Sequence, residues 1–273
     1  MPVIAMTQEM GSLAKDVSLR LAEEMGLAVM RHEVLDHVAE RLNVPKSLIG
    51  RLREGKAGLV ERLTADQHSA ALHTADELFA LAARGNVVLR GWGATCLLRP
   101  VPHVVCVRIT RSIEKRVKWL MGHLETEDAT LAEAELRRSD RAHAARMHEL
   151  FDVTWGDPVL YDLVINTDRV EVDSAVEQIR ALAARPEFAE TEASRALLAD
   201  MALEARVRVA LRDDPVTRSI DVTIVAHAGS VSLQGIVVTA EERLRAEQVA
   251  SGTAGVTAVD NALRPMGKFQ RFR

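Results

Sequence analysis

A short segment near the start of the chain carries the residues with the clearest capacity to bind phosphate. Gly11 and Ser12 follow an apolar run at residues 3–6, which predicts a buried strand, and precede a helical pattern that begins at Ala14. Backbone N–H groups and the helix N-terminus point into a turn of this kind, where they can hold an anion. Lys15 would add a positive charge. The chemistry that a turn of this kind could perform is the binding of a phosphate group.

The turn nevertheless departs from the standard phosphate-binding loop. The Walker pattern, Gly-x-x-x-x-Gly-Lys-Ser/Thr, is not present in it. Leu13 puts a branched side chain where the backbone should approach a phosphate, and Asp16 adds an acid that would repel one. Taken by itself, the segment indicates an ordinary connection between a strand and a helix.

Histidine and cysteine residues offer little further chemistry. The histidine pairs that stand five residues apart are His32/His37, His68/His73 and His143/His148. Because five residues turn a helix by about 140°, the two members of a pair do not share a face, and no metal site is predicted. Cys96 and Cys106 form no Cys-x-x-Cys pair and have apolar neighbours, which predicts two buried, small apolar side chains.

Strands that alternate with helices are predicted for the larger, N-terminal part of the chain. Compact apolar runs indicate further buried strands at residues 87–89, 104–109 and 160–166. Helical patterns cover residues 14–25, 34–42, 65–84, 112–121, 127–150 and 174–184, with a basic, Gly-containing loop at 50–58. We expect Ser112 to cap the helix that follows it. The alternation predicts a parallel sheet with helices on both faces.

A change in composition divides the chain near residue 185. Residues 185–193 are polar and acidic and contain a proline, which predicts a linker. Beyond it the patterns indicate a helix at 194–211, a hairpin within 220–234, a helix at 240–251 and a strand at 255–259. This α-β-β-α-β order predicts a small open α+β layer, followed by a basic tail that we expect to fray.

Bulk properties limit the classes of partner. The chain has 273 residues and a formal net charge of −4, so it has no general attraction for nucleic acid. Its length favours one large and one small domain. No apolar run approaches the roughly 18 residues needed to span a bilayer, and the first residues lack the basic start of a secretory signal. We expect a cytoplasmic protein that binds no nucleic acid.

Five separated stretches resemble the cytidylate-kinase-like family of P-loop nucleoside-monophosphate kinases. The similarity extends over about residues 1–182. The stretches are residues 3–12, residues 31–42, Gly91-Trp92-Gly93-Ala94, Asp140-Arg141, and Trp155-Gly156-Asp157-Pro158 with residues 161–167, the last being the most specific.

This resemblance implies a P-loop kinase-like domain that, if it is active, uses ATP and Mg²⁺, with no protein side chain assigned as a metal ligand. In an active enzyme the binding residues would be Gly11, Ser12 and Lys15 at the donor phosphates and Arg90 at the acceptor phosphate. The catalytic residues would be Lys15 together with Arg141 and Arg146 from the lid.

Several residues differ from the family pattern in ways that weaken phosphoryl transfer. The family's Gly-Ser-Gly-Gly loop continues here with Leu13 and Ala14. Trp92 replaces an arginine expected to hold the acceptor phosphate, His143 replaces a lid arginine, and Arg31 stands where the family usually has aspartate. Phosphoryl transfer depends on positive charge around the transferring group, and the loss of one arginine can cost on the order of 10³-fold. An eroded transfer site is predicted.

The C-terminal stretch resembles a BON domain over about residues 195–265. The matching residues include Asp214-Pro215, Leu233-Gln234-Gly235 and Gly255-Val256. The resemblance implies an interaction module, with a protein as the expected partner and weak phospholipid contact as an alternative.

The predicted architecture is an α/β, parallel-sheet P-loop kinase-like domain at 1–184, a linker at 185–193, a smaller α+β domain at 194–265 and a tail at 266–273. Three functions remain open. The first is a protein that binds a nucleotide or a small phosphate ligand through an eroded kinase site and is coupled to a BON domain. The second is an active cytidylate-type kinase with a rearranged site, and the third is a scaffold whose BON domain binds protein or lipid. We expect a homo-oligomer.

Overall fold

The computed structural model describes residues 1–30, 38–40, 42, 67–91 and 93–266. Several predicted features lie outside these residues: most of the helix at 34–42, the loop at 50–58, Arg31, the pair His32/His37, Trp92 and the tail beyond Met266. No helix in the described part of the chain is long and apolar enough to cross a membrane.

Five parallel strands form the larger sheet, in the spatial order β2-β3-β1-β4-β5. Their bounds are β1 Val3–Gln8, β2 Ala28–Met30, β3 Val87–Arg90, β4 Val104–Thr110 and β5 Leu163–Asn166. The predicted parallel sheet is confirmed. Strand β2 was missed, because three residues are too few to produce a periodic signal.

Helices cover both faces of this sheet, as the sequence predicts. They are α1 Ala14–Met25, α2 Gln67–Arg84, α3 Ala94–Leu97, α4 Ile113–Leu124, α5 Ala129–Phe151 and α6 Val172–Ala183. Alternate strand residues supply the two cores. Ala5 and Leu89 pack with α2 and α3, whereas Ile4 and Val107 pack on the opposite face with α1 and α6.

Two local predictions in this domain are wrong in detail. Strand β5 begins at Leu163 instead of residue 160, because Pro158–Leu160 forms a 3₁₀ turn whose Val159 N–H donates to the Asp157 carboxylate. Ser112 stands at the N-cap of α4, but its hydroxyl donates to Asp168 instead of capping the helix.

The cysteines also differ from one another. Cys106 is buried, as predicted, and burial raises the pKa of its thiol to about 12. Cys96 is only half-buried, and burial raises its pKa as well.

The predicted α-β-β-α-β order of the smaller domain is confirmed. Its elements are α7 Glu192–Asp213, β6 Val222–His227, β7 Ser230–Val237, α8 Ala240–Ser251 and β8 Ala258–Pro265. Strands β6 and β7 are antiparallel, and β7 and β8 are parallel. The last strand lies later than the predicted 255–259, because it pairs along the whole length of β7.

Helix α7 belongs to the cores of both domains. Its Leu198 and Ala202 are buried in the core beneath α2, and its Leu203 and Val207 are buried in the core of the smaller domain. Near its end, Asp213 Oδ1 lies 3.1 Å from Nε2 of His73 on α2. The two domains are therefore joined by a shared helix. The boundaries predicted from the sequence remain predictions.

Candidate functional site

The loop after β1 lies at the carboxyl edge of the parallel sheet, the edge at which α/β proteins bind ligands. Residue Gly11 has a φ of +82°, and a Cβ atom there would lie 3.0 Å from Trp119 Cε3. Glycine therefore fits this turn where a larger residue would have to displace the tryptophan. Ser12 is 1% exposed, and its Oγ has no hydrogen-bond partner among the residues that the structure describes. A buried hydroxyl of this kind is a candidate ligand contact.

Leu13 holds a strained backbone at the N-cap of α1. Its φ of 62° lies in the left-handed region, which costs a non-glycine residue about 1–2 kcal/mol. Its side chain accepts no hydrogen bond from the first turn of α1, where a serine or aspartate would. The N-terminal N–H groups of α1 therefore lack the usual side-chain cap.

Glu9 lies among cationic and hydrogen-bond-donating groups from β4 and the residues beyond it. Its Oε1 accepts from Arg108 Nη2 at 2.7 Å, and its Oε2 accepts from Thr110 Oγ1 at 2.7 Å and from the Arg111 backbone N–H at 3.2 Å. Arg116 Nη1 lies 3.6 Å from Oε2. We call these four donor groups, from Arg108, Thr110, Arg111 and Arg116, the cationic cradle. The Glu9 side chain is 14% exposed, so the cradle nearly encloses it.

Arg116 ties the loop after β1 to α4 and α5. Its Nε donates to the Met10 carbonyl at 2.7 Å, and its Nη2 lies 2.7 and 2.9 Å from the two carboxylate oxygens of Asp140. The Arg116 side chain is 5% exposed. Its positive charge is thus shared between the carboxylates of Glu9 and Asp140.

Aromatic side chains pack against the buried guanidinium of Arg108. Arg108 lies 4.2 Å from the centre of the Trp155 ring, and its Nη1 donates to the Trp155 carbonyl at 3.2 Å. The Trp155 Nε1 donates to Thr7 Oγ1, and the Tyr161 hydroxyl donates to the Trp155 carbonyl. Burial raises the pKa of Tyr161 to about 12, so the phenol stays protonated at neutral pH. These contacts give the Trp155 and Tyr161 motifs a positioning role.

Helix α5 lies across the carboxyl edge. Asp140 contacts the loop after β1 through Arg116, and the His143 ring lies 4.3 Å from the Trp155 ring in an edge contact. At the end of α5, Phe151 packs so closely on Gly93 that a Cβ atom there would lie 2.6 Å from the ring. The helix therefore covers the edge from the turn after β1 to the turn after β3.

Three of the residues predicted to bind phosphate lie at this edge, and the fourth is on α1. Gly11 and Ser12 form the loop, and Arg90 is buried at the end of β3, where its Nη1 donates to Gln8 Oε1 at 3.4 Å. Lys15 is exposed in the first turn of α1. The roles assigned to these residues remain predictions.

The two predicted lid residues lie on α5. Arg141 is exposed, next to Asp140. Arg146 is half-buried, and burial lowers its pKa while the nearby Glu149 opposes that shift. Their catalytic roles also remain predictions.

Sequence reasoning missed Glu9, Arg108 and Arg116 as site residues. Arg108 had a usable signal, since it is a cation inside an otherwise apolar strand whose carboxyl end reaches the candidate site. Glu9 is an acid in a loop expected to hold phosphate, which is a second signal. Arg116 had none, because its contacts with Met10 and Asp140 are set by helix packing.

Two cations beside the loop, Arg108 and Arg116, are already paired with carboxylates of the chain. Glu9 fills the cationic cradle, and Asp140 takes a further share of the Arg116 charge. Leu13 occupies the turn where the backbone should approach phosphate. The loop, with Ser12 and the uncapped start of α1, still offers groups that suit a phosphate oxygen.

The parallel five-stranded sheet, its flanking helices and its loop-to-helix turn define a kinase-like α/β protein with a small α+β domain attached. The cytidylate kinase-like family matches residues 3–169, and the BON domain family matches residues 199–264. The chain belongs to the cytidylate kinase-like family and carries a C-terminal BON domain.

A solved structure with a TM-score above 0.5 shares the fold of the larger domain. An uncharacterized protein from Eubacterium ventriosum is 21% identical, with a TM-score of 0.54, and the match covers 68% of this chain and 100% of that one. A shikimate kinase from Bacteroides thetaiotaomicron is 14% identical, with a TM-score of 0.43, covering 66% of this chain and 97% of that one. No curated protein matches the chain.

Proposed function

We propose that the kinase-like domain binds a nucleotide or another small phosphate ligand at its carboxyl edge, that its phosphoryl-transfer site is eroded, and that the BON domain connects it to a protein partner. Support for binding comes from two polar atoms beside the loop. Ser12 Oγ and Arg111 Nε are buried without a hydrogen-bond partner in the described part of the chain, and the nearest carboxylate oxygen to Arg111 Nε is 4.0 Å away on Asp168.

We infer the erosion of the transfer site from the pairing of two buried guanidinium groups near the loop with carboxylates. Arg108 and Arg116 are paired with Glu9, and Arg116 is also paired with Asp140. A transferring phosphoryl group needs uncommitted positive charge to stabilise its transition state. Since the chain's own carboxylates already neutralise these cations, we expect binding with little turnover.

The shared helix supports coupling between the two domains. Leu198 and Ala202 of α7 are buried in the kinase-like core, while Leu203 and Val207 of the same helix are buried in the BON core. Packed cores transmit displacements because they have few voids to absorb them. A shift of α2 on ligand binding would therefore reach the BON domain through α7.

The test is a thermal-unfolding titration of the full chain with ATP, CTP, CMP and dCMP, each with and without Mg²⁺. A ligand at about 100 times its dissociation constant stabilises the folded state by about 2.7 kcal/mol, which raises the melting temperature measurably. We expect a rise with at least one nucleotide and negligible phosphate transfer in a parallel turnover assay. No rise with any nucleotide would contradict the proposal and favour the scaffold function.

The exposed position of Lys15 in the first turn of α1 favours a second candidate, an active kinase with a rearranged site. In that case the Lys15→Ala and Arg141→Ala variants should each lose most of a measurable turnover. The Lys118→Ala variant is the matched control, because Lys118 is an exposed lysine on α4. Turnover that is unchanged in both site variants would contradict this candidate.

A further inference from the structure

We propose that Glu9 is a tethered anion that occupies an oxyanion-binding site, and that a phosphate group binds in the cationic cradle when the Glu9 carboxylate is displaced or neutralised. The inference rests on the proposed function in one respect, that phosphate ligands bind at this edge. It goes further by naming the donor groups and the residue that competes with the ligand.

The cradle has the composition of a phosphate site. Guanidinium groups form the strongest charge-assisted hydrogen bonds with carboxylates and phosphates alike, and backbone N–H and hydroxyl donors complete many anion sites. Here Arg108, the Thr110 hydroxyl and the Arg111 N–H all donate to one carboxylate at 2.7 to 3.2 Å. The same donors can bind two oxygens of a phosphate group.

Two further buried donors belong to residues that contact Glu9. A phosphate carries more oxygens than a carboxylate, and Ser12 Oγ and Arg111 Nε are both buried without a hydrogen-bond partner among the described residues. Each belongs to a residue whose backbone already contacts Glu9: the Ser12 N–H donates to the Glu9 carbonyl, and the Arg111 N–H donates to its carboxylate. Both donors thus belong to residues that are hydrogen-bonded to Glu9, and we expect the additional oxygens of a bound phosphate to use them.

The charges make displacement of Glu9 possible. Arg108 and Arg116 face only Glu9 and Asp140 as acidic partners in the described contacts, which gives two cations and two anions. A phosphate monoester carries about −1.5 to −2 charges at pH 7, more than the single charge it replaces. Asp140 can remain on Arg116 while the ligand takes the Arg108 side of the cradle.

The experiment measures inorganic phosphate binding to the full chain by thermal unfolding. Wild type, Glu9→Gln and Glu177→Gln are titrated with phosphate at constant ionic strength, with chloride as the replacement salt. Glu177 is an exposed residue of α6, so its variant makes the same charge change away from the cradle. We expect Glu9→Gln to bind phosphate at least ten-fold more tightly than wild type and Glu177→Gln to match wild type.

A double variant tests whether the tighter phosphate binding of Glu9→Gln depends on Arg108. Glu9→Gln/Arg108→Gln removes the cation that contacts Oε1, and we expect it to lose the ten-fold gain. If Glu9→Gln does not fold, Glu9→Asp shortens the acid and keeps its charge, and it should show an intermediate gain. A folded Glu9 variant that responds to phosphate as wild type does, or a gain that survives the loss of Arg108, overturns the inference.

The outcomes separate this inference from the proposed function. Nucleotide titration of wild type tests the proposed function, and phosphate titration of the Glu9 variants tests the cradle. If nucleotides stabilise the wild type but Glu9→Gln binds phosphate no more tightly than wild type, only the tethered-anion inference is contradicted. A phosphate gain in Glu9→Gln without any nucleotide response in wild type keeps the inference and contradicts nucleotide binding.

Discussion

The carboxyl edge of the kinase-like domain and the BON domain differ in how deeply their paired arginine side chains are buried. At the carboxyl edge Arg90, Arg108 and Arg116 are all buried, and the carboxylate of Glu9 is enclosed between two of them. In the BON domain an ion pair of 2.7 Å joins Asp214 to Arg245, whose side chain is 45% exposed. The carboxyl edge therefore buries three arginines, whereas this ion pair of the BON domain leaves its arginine half in water.

The difference indicates which charges serve a site. Burying a charge is costly unless it is paired, and an apolar replacement is often no less stable, so a fold gains little from buried guanidiniums by themselves. Buried cations collected at the edge where α/β proteins bind ligands therefore support the proposed binding role. The Asp214 carboxylate instead accepts from the Val216 and Thr217 N–H groups and from Arg245, which fixes the chain after α7.

The largest expected effect comes from breaking the buried ion pair. Arg116→Ala removes the guanidinium that holds Met10, Asp140 and Glu9, and the cost of breaking such a pair is about 3–5 kcal/mol. Urea unfolding measures the loss. The control, Arg137→Ala, breaks an exposed pair with Glu133 and should cost about 0–1 kcal/mol. Equal losses in the free energy of unfolding would contradict the expectation that the buried Arg116 contributes more to stability than the exposed Arg137.

A smaller effect is expected in the BON domain. Asp214→Asn removes a charged acceptor that serves Arg245 and two N–H groups, at a cost of about 1–3 kcal/mol in the free energy of unfolding. The hydrogen bond from Arg245 is the main cause that lowers the pKa of Asp214. Because the folded-state pKa is lowered, the stabilisation is complete above the ordinary aspartate pKa of about 4 and disappears as the pH falls through the lowered value.

Unfolding measured from pH 7 to pH 2 checks this dependence. The difference between wild type and Asp214→Asn should stay constant down to about pH 5 and shrink below about pH 4. A difference that grows toward acid pH would show that the Asp214–Arg245 pair does not cause the pH dependence of stability.

The smallest change in stability is expected when Leu13 is replaced, although this change should strengthen the binding of a triphosphate. Leu13→Gly relieves a left-handed backbone that costs about 1–2 kcal/mol, but the greater freedom of glycine in the unfolded chain offsets part of this gain. The free energy of unfolding should therefore change by no more than about 1 kcal/mol. It also removes the side chain from the phosphate turn, so we expect at least ten-fold tighter binding of a triphosphate in the thermal titration. Glu125→Gly is the control, since Glu125 has a φ of 53° at the C-cap of α4. Similar binding by both variants would contradict a steric role for Leu13.

Much of the fold could be predicted because its signals are local. The apolar runs at Val104–Thr110 and Val87–Arg90, and the helical period that ends at Gly26, each follow from neighbouring residues. Strand β2 and the end of β8 could not be predicted, since their length is decided by the strands beside them. The strand start at residue 160 was wrong because Pro158 turns the chain first.

For the site, local patterns predict the turn after β1 and its departures at Leu13 and Asp16, and separated motifs identify the family to which the chain belongs. The meeting of Glu9, Arg108 and Arg116 depends on the tertiary structure. These residues are separated by up to 107 positions, the difference between 9 and 116, and no local pattern links them. Parallel strand pairing of β1 with β4 and the packing of α4 bring them together, and that pairing also determines which carboxylate neutralises each cation.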